Sequence, residues 1–124
     1  MAFWFTGDGE HEDSRFIDGV PGGLPAGLGL YTAAGSRCMY SIRYRREREI
    51  PAQWFIPDHW VRGQPNGVRI AKALARNGVL IRMDGGYGFG WIRPENTPDA
   101  LKASRKLKAA KQAERRKRRM EEGQ

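Results

Sequence analysis

The sequence has a single cysteine, Cys38, and no apolar run that approaches the length of a membrane-spanning helix. One cysteine excludes an internal disulfide and any zinc finger held by cysteines. A membrane span needs about 18 or more consecutive apolar residues, so we expect no membrane partner. The first residues also lack the basic start and apolar run of a signal peptide, and we therefore expect a cytoplasmic protein.

Motifs for catalysis and for cofactors are missing as well. Gly22-Gly23 and Gly27–Gly29 are not followed by the Gly-Lys-Ser/Thr of a nucleotide phosphate loop. We find no nucleophile elbow and no carboxylate pair on a credible scaffold. The acidic run Asp8–Asp13 lacks the ligand spacing of an EF-hand, so it predicts an acidic loop rather than a metal site. We expect neither an enzyme nor a bound cofactor or metal.

Basic charge is abundant and concentrated at the C-terminal end. The formal net charge is +8, and residues 101–124 hold ten Lys and Arg against three Glu. These ten residues are Lys102, Arg105, Lys106, Lys108, Lys111, Arg115, Arg116, Lys117, Arg118 and Arg119. Residues 1–20, by contrast, have a net charge of −4. Such a basic block is typical of segments that bind polyanions, above all nucleic acid, although a solubilising tail has the same composition.

Length and charge together predict one folded domain with an appendage. A chain of 124 residues is one domain, which we place at residues 1–98 with an acidic segment at 1–20. Residues 99–124 form the basic tail. Its charges would surround a helix on all sides, and only Leu101 and Leu107 could bury much, so we predict a helical or disordered tail outside the core.

The first half of the chain predicts two helices. An apolar stripe at helical spacing predicts a first helix from Leu24 to about Met39. Its glycines weaken the helix unless another element packs closely against them. They are Gly27, Gly29 and Gly35. After the charged stretch Arg43–Glu49, two Ile-Pro pairs give two possible starts for a second helix, and we prefer a short helix over Asp58–Arg62.

A third helix, from Gly67 to Asn77, has two distinct faces. Asn66 is a typical N-cap residue, and Gly78 stands where helices commonly end. On a helical wheel the apolar residues fall on one side and three cations on the other. The apolar residues are Ile70 and Leu74, and the cations are Arg69, Lys72 and Arg76.

A β-hairpin is predicted directly after this helix. Val79–Met83 is rich in β-formers, residues 84–86 have turn chemistry, and residues 87–92 alternate strictly. Tyr87, Phe89 and Trp91 share one face of the second strand. That face could stack unpaired bases, but aromatic residues at this spacing are more often the core side of a hairpin, which is our prediction.

Helix, short helix, turn, helix and hairpin in this order is the layout of a winged helix-turn-helix, an α+β fold that is mainly α. A helix with one apolar and one cationic face can pack on its domain while lying in the major groove of DNA. We therefore predict a recognition helix at 66–77 and a wing at 79–92. The DNA-binding residues predicted for the domain are Arg62, Asn66, Arg69, Lys72, Arg76 and Arg82, and the ten tail cations are predicted phosphate contacts.

A distinctive spacing of glycine, leucine and aromatic residues runs from Leu24 to Trp91. It comprises Ala26–Tyr31, Ala34–Ser36, Cys38, Ile56-Pro57, Trp60–Gly63, Asn66-Gly67, Leu74, Asn77-Gly78, Gly85–Tyr87 and Trp91. In this spacing the chain resembles the small winged helix-turn-helix DNA-binding proteins of actinobacterial phages, including mycobacteriophages. The resemblance implies a phage-encoded protein that binds double-stranded DNA in the host cytoplasm and acts in replication or transcription regulation.

Two other functions remain open at this point. Winged helices also serve as protein-interaction modules, so the partner could be a host protein. A small basic domain could also bind RNA. A homodimer is compatible with the sequence in each case.

Overall fold

A computed structural model describes Trp4 and residues 13–123 of the chain. The fold is α+β and mainly helical, as predicted, with a small antiparallel sheet. In chain order the main elements are α1 (Gly23–Ser41), β1 (Ile56–Pro57), α2 (Asp58–Arg62), α3 (Gly67–Arg76), β2 (Leu80–Met83), β3 (Gly86–Phe89) and α4 (Pro98–Glu122). Short 3-10 helices occupy Ser14–Phe16, Glu47–Glu49 and Pro94–Asn96.

Helix α1 is the predicted first helix and carries much of the core. Its buried residues include Leu30, Tyr31 and Cys38. Close packing on its glycines is confirmed at two of three positions. A β-carbon at Gly27 would collide with the carbonyl of Phe16, and one at Gly35 with the indole of Trp4, whereas Gly29 has no described atom within 4 Å of that position.

The aromatic residues of the hairpin form part of the core, as predicted. Tyr87 is buried, and Phe89 and Trp91 pack against the buried cluster. Phe89 and Trp91 also contact the ring of Tyr31, with ring centroids 5.6 and 5.8 Å away. Phe89 and Trp91, two of the three residues that the sequence offered as a base-stacking surface, are therefore turned towards α1.

The sheet has three strands in the order β1-β3-β2, all antiparallel. The sequence pattern did not predict strand β1, because two residues, one of them a proline, are too few to show an alternation. The strand forms because Ile56 pairs with Tyr87, which is distant in the chain. The predicted strand to Ile92 was too long. Strand β3 ends at Phe89, since the backbone N–H groups of Gly90 and Trp91 both donate to the carbonyl of Val79.

Helices α2 and α3 have nearly the predicted limits. Asn66 stands at the N-cap of α3, but in a left-handed conformation (φ 52°) and with no side-chain capping hydrogen bond, so its predicted capping role was wrong. At the other end, Gly78 N–H donates to Ala75 and Val79 N–H donates to Leu74. This pair of bonds is a Schellman motif, which satisfies carbonyls that the helix end would leave unpaired.

The basic tail is a helix whose first turns pack on the domain. Thr97 Oγ1 accepts a hydrogen bond from Ala100 N–H and caps α4, and Pro98 is buried. Leu101 packs against the core, whereas Leu107 is exposed. From Leu107 onwards every described residue of α4 is exposed. Among the described residues, no helix is both long enough and apolar enough to cross a membrane.

Candidate nucleic-acid interface

The spacing between α2 and α3 is set by one close contact. The connection runs through residues 63–66, and Gly67 N–H donates to the carbonyl of Gln64 at 2.9 Å. Gly67 is buried, and a β-carbon there would collide with the carbonyl oxygen of Val61 in α2. The backbone of α3 therefore starts directly against α2, and this contact sets how α3 is presented.

Replacing Gly67 by Ala is expected to lower the free energy of unfolding by about 1–3 kcal/mol, because overpacking against backbone forces the two helices apart. Urea denaturation measures the loss. Gly63→Ala is the matched control in the same connection. Its β-carbon would lie 3.4 Å from the nearest atom, the carbonyl oxygen of Trp60, where a small shift suffices. Equal losses in both variants would contradict the close contact at Gly67.

Helix α3 has the two faces that the sequence predicts. Ile70 and Leu74 are buried, while Arg69, Lys72 and Arg76 are exposed. None of these three cations forms an ion pair with a carboxylate in the part of the chain that the structure describes. No described carboxylate therefore neutralises these three charges.

An open groove runs between α2, α3 and the β2–β3 hairpin. It brings together four of the predicted cations, Arg62, Lys72, Arg76 and Arg82, along with one carboxylate, Asp58. The rest of its lining is apolar apart from a tyrosine hydroxyl. Those residues are Val61, Val68, Ala75 and Tyr87. Two predicted residues, Asn66 and Arg69, are exposed on the same helix–turn–helix but do not line this groove.

Arg82, the predicted wing residue, is held by an ion pair that the sequence analysis missed. Its Nη1 and Nη2 donate to the two carboxylate oxygens of Asp58 at 2.5 and 3.0 Å. The guanidinium also lies 4.9 Å from the centre of the Tyr87 ring. The hydrogen bond from Arg82 lowers the pKa of Asp58, and the same bond raises the pKa of Arg82. The pair thus keeps both groups charged and fixes a cation on the groove wall.

The tail cations divide into two groups. Arg105 donates to the carbonyls of Arg45 (2.8 Å) and Ile42 (2.9 Å), and Lys106 pairs with Glu47 at 3.3 Å. These two predicted phosphate contacts are thus engaged in docking α4 on the domain. Lys102 is half-buried beside Arg46 and Arg48. The seven remaining cations are exposed on the outer part of α4: Lys108, Lys111, Arg115, Arg116, Lys117, Arg118 and Arg119.

Neither a metal-holding group of side chains nor a reactive thiol is found in the described residues. No group of three or more His, Cys, Asp and Glu side chains able to hold a metal occurs within Trp4 and residues 13–123. Most of the acidic run, residues 8–12, lies outside the described residues. The thiol of Cys38 is buried, which raises its pKa to about 12 and keeps it protonated and unreactive at neutral pH.

Comparison of the chain with protein-family models, with curated protein sequences and with solved structures finds no match.

Proposed function

We propose that the protein is a non-enzymatic winged helix-turn-helix protein that binds double-stranded DNA. The observation that carries this proposal is the row of exposed cations on α3, none of which pairs with a described carboxylate, and which continues into a groove lined by further cations of α2 and the hairpin. The order α1-β1-α2-α3-β2-β3 and the sheet order β1-β3-β2 support a winged helix, with α3 as the recognition helix and the β2–β3 turn as the wing.

The dimensions of α3 suit the major groove. An α-helix about 10–12 Å across fits a groove about 12 Å wide, and the ten residues of α3 extend about 15 Å along it. Arg69, Lys72 and Arg76 lie on that face, where guanidinium and ammonium groups reach the N7 and O6 acceptors of guanine as well as phosphate oxygens. Any sequence preference would arise from these three side chains.

The groove wall supplies phosphate contacts beside the recognition helix. Arg62 ends α2, and Arg82 stands on the first strand of the wing. Asp58 occupies one N–H on each of the two Nη atoms of Arg82, so other guanidinium N–H groups remain for a phosphate. Arg82 would thus bind the backbone without leaving Asp58, as a positioned contact rather than a mobile one.

The setting that we propose for this activity rests on the segment from Leu24 to Trp91, which resembles the small DNA-binding proteins of actinobacterial phages. We propose a phage-encoded protein that acts on DNA in the cytoplasm of its bacterial host, in replication or in transcription regulation. The alternatives are a module that binds a host protein and an RNA-binding protein. A direct competition between duplex DNA, single strands and structured RNA at two salt concentrations separates the three, because only the proposed function places duplex DNA first.

Removing the cations of α3 tests the proposal most directly. The triple variant Arg69→Ala, Lys72→Ala, Arg76→Ala is expected to bind duplex DNA about 30- to 100-fold more weakly and to lose preference among sequences. Fluorescence anisotropy with labelled duplexes of different sequence measures both effects. All three side chains are exposed, so the circular dichroism spectrum should not change.

A charge-matched control uses the outer part of α4. Lys111→Ala, Arg115→Ala, Arg119→Ala removes the same number of charges from one face of a helix outside the domain body. It is expected to weaken binding equally for every sequence. A triple variant of α3 that binds duplex DNA like the unchanged protein would rule out α3 as the recognition helix.

A further inference from the structure

Two tyrosines stand in solvent beside a cluster of arginines at the C-terminal end of α1. Tyr40 is 72% exposed and Tyr44 is 87% exposed, among the highest values for large apolar side chains in the described residues. Close to them in the chain stand Arg43, Arg45, Arg46 and Arg48, all exposed. We refer to these six residues as the Tyr–Arg surface. None of them lines the described wall of the groove beside α3.

The rings are exposed although the backbone beneath them is firmly held. Ile42 and Ile50, on either side of the charged stretch, are each only 4% exposed. Arg43 N–H donates to Tyr40 and Arg45 N–H donates to Ile42, which closes two successive turns. The guanidinium of Arg105 in α4 then clamps the carbonyls of Ile42 and Arg45. Tyr40 and Tyr44 are therefore presented by an ordered backbone.

The surface keeps a positive charge despite two nearby acids. Glu49 pairs with Arg45 at 3.6 Å, and Glu47 pairs with Lys106 of α4 at 3.3 Å. Arg43, Arg46 and Arg48 form no ion pair with a carboxylate in the described parts of the chain. The guanidinium of Arg43 lies 5.4 Å from the centre of the Tyr44 ring, covering one face and leaving the other for a planar ligand.

Exposed aromatic rings interleaved with arginines match the chemistry of an unpaired nucleic-acid strand. Each base offers a flat face that stacks on a tyrosine, and the phosphates between bases attract guanidinium groups. A duplex keeps its bases stacked on one another and would leave both rings in water. An ordered platform also lowers the entropy lost on binding.

We propose that the Tyr–Arg surface is a second binding site, which takes a single-stranded nucleic acid by stacking bases on Tyr40 and Tyr44. This site is separate from α3 and does not depend on its role. A protein carrying both sites would hold a duplex and an adjacent unpaired strand together. Unpaired DNA and unpaired RNA share the chemistry, and the experiment includes both.

The test uses the full chain and fluorescently labelled oligo(dT) and oligo(U) of equal length, at elevated salt so that the tail contributes little. Tyr40→Ala, Tyr44→Ala is expected to weaken binding of at least one strand tenfold or more. Tyr40→Phe, Tyr44→Phe keeps the rings and should bind within about threefold of the unchanged protein. If oligo(dT) loses affinity the site takes DNA, and if oligo(U) loses affinity it takes RNA.

Duplex DNA provides the second readout. The Tyr→Ala pair should bind a duplex unchanged, whereas the α3 triple variant should lose the duplex and keep the single strand. The proposal is overturned if the Tyr→Ala pair binds both single strands like the unchanged protein, or if the unchanged protein binds neither at that salt. Both side chains are exposed, so a folding defect, checked by circular dichroism, is not expected.

Discussion

Deleting residues 108–124 is expected to lower the affinity for duplex DNA by about 100- to 1,000-fold at low salt without unfolding the domain. The deletion removes seven Lys and Arg and three Glu. Helix α4 has 25 residues, so its length is about 37 Å, of which the part beyond Leu107 contributes roughly 22 Å. A rigid arm of this length brings its cations to phosphates well outside the reach of α3.

The size of the effect follows from counterion release. On a helical wheel all of the seven cations except Lys117 fall on one side of the helix, and about three or four of them can reach one DNA backbone at a time. Each phosphate neutralised contributes about 0.9 to the slope of log K against log salt. Three or four contacts therefore account for a slope of roughly 3. The deletion should lower the measured slope by that amount while leaving any sequence preference intact, because phosphate contacts do not distinguish bases.

The cut after Leu107 matters for interpreting the result. Arg105 and Lys106 bind α4 to the C-terminal end of α1 and to the 3-10 helix Glu47–Glu49. A cut at Pro98 would therefore also remove the packing of α4 on the domain. A second variant replaces the seven outer cations by Gln and keeps the length of the helix. The Gln variant keeps the three Glu of this segment, so it should lose at least as much affinity as the deletion. An unchanged salt slope in either one would show that the arm only solubilises the protein.

The secondary structure was predictable where local chemistry decides it. The Ile56-Pro57 pair before α2, Asn66 before α3 and Gly78 after it mark the ends of these helices within a residue. The turn Asp84-Gly85 likewise closes the hairpin where the sequence placed it. Each signal comes from one or two residues whose backbone preferences do not depend on the rest of the chain.

What the sequence did not reveal depends on contacts between distant segments. Strand β1 exists because β3 pairs with it, 30 residues later in the chain. The Asp58–Arg82 ion pair joins residues 24 apart, and the bonds of Arg105 join residues 60 and 63 apart. A count of charges treats all tail cations alike, whereas in the structure Arg105 and Lys106 bind α4 to the domain. Neither spacing nor composition carries a signal for such pairings.

The sequence also did not predict which side chains are exposed to solvent. Arg43–Glu49 appeared in the sequence as a charged connection between structured parts. Turns and a 3-10 helix order it, and the exposure of Tyr40 and Tyr44 becomes informative only because Ile42 and Ile50 beside them are buried. A sequence shows that a tyrosine is near arginines, but it does not show which of its faces is covered.

The largest expected loss of stability comes from Tyr31→Ala. The Tyr31 side chain is fully buried at the centre of an aromatic cluster that joins α1 to the Ser14–Phe16 turn and to the hairpin. Ring centroids of Trp4, Phe16, Phe89 and Trp91 lie 5.0–5.8 Å from its own. Removing a buried aromatic ring costs about 3–5 kcal/mol, a large share of the 5–15 kcal/mol typical of a whole domain.

Tyr31→Phe isolates the ring from its hydroxyl. The hydroxyl donates to the carbonyl of Trp91 at 3.5 Å, and removing a hydrogen bond of this kind costs about 1 kcal/mol, less than removing the ring. Urea denaturation of both variants gives the two free energies of unfolding. Because the cluster ties α1 to the strand that carries Phe89, the Ala variant should lose duplex binding in parallel with its folded fraction. A Tyr31→Ala protein within about 1 kcal/mol of the unchanged chain would mean that this cluster does not hold the hairpin to α1.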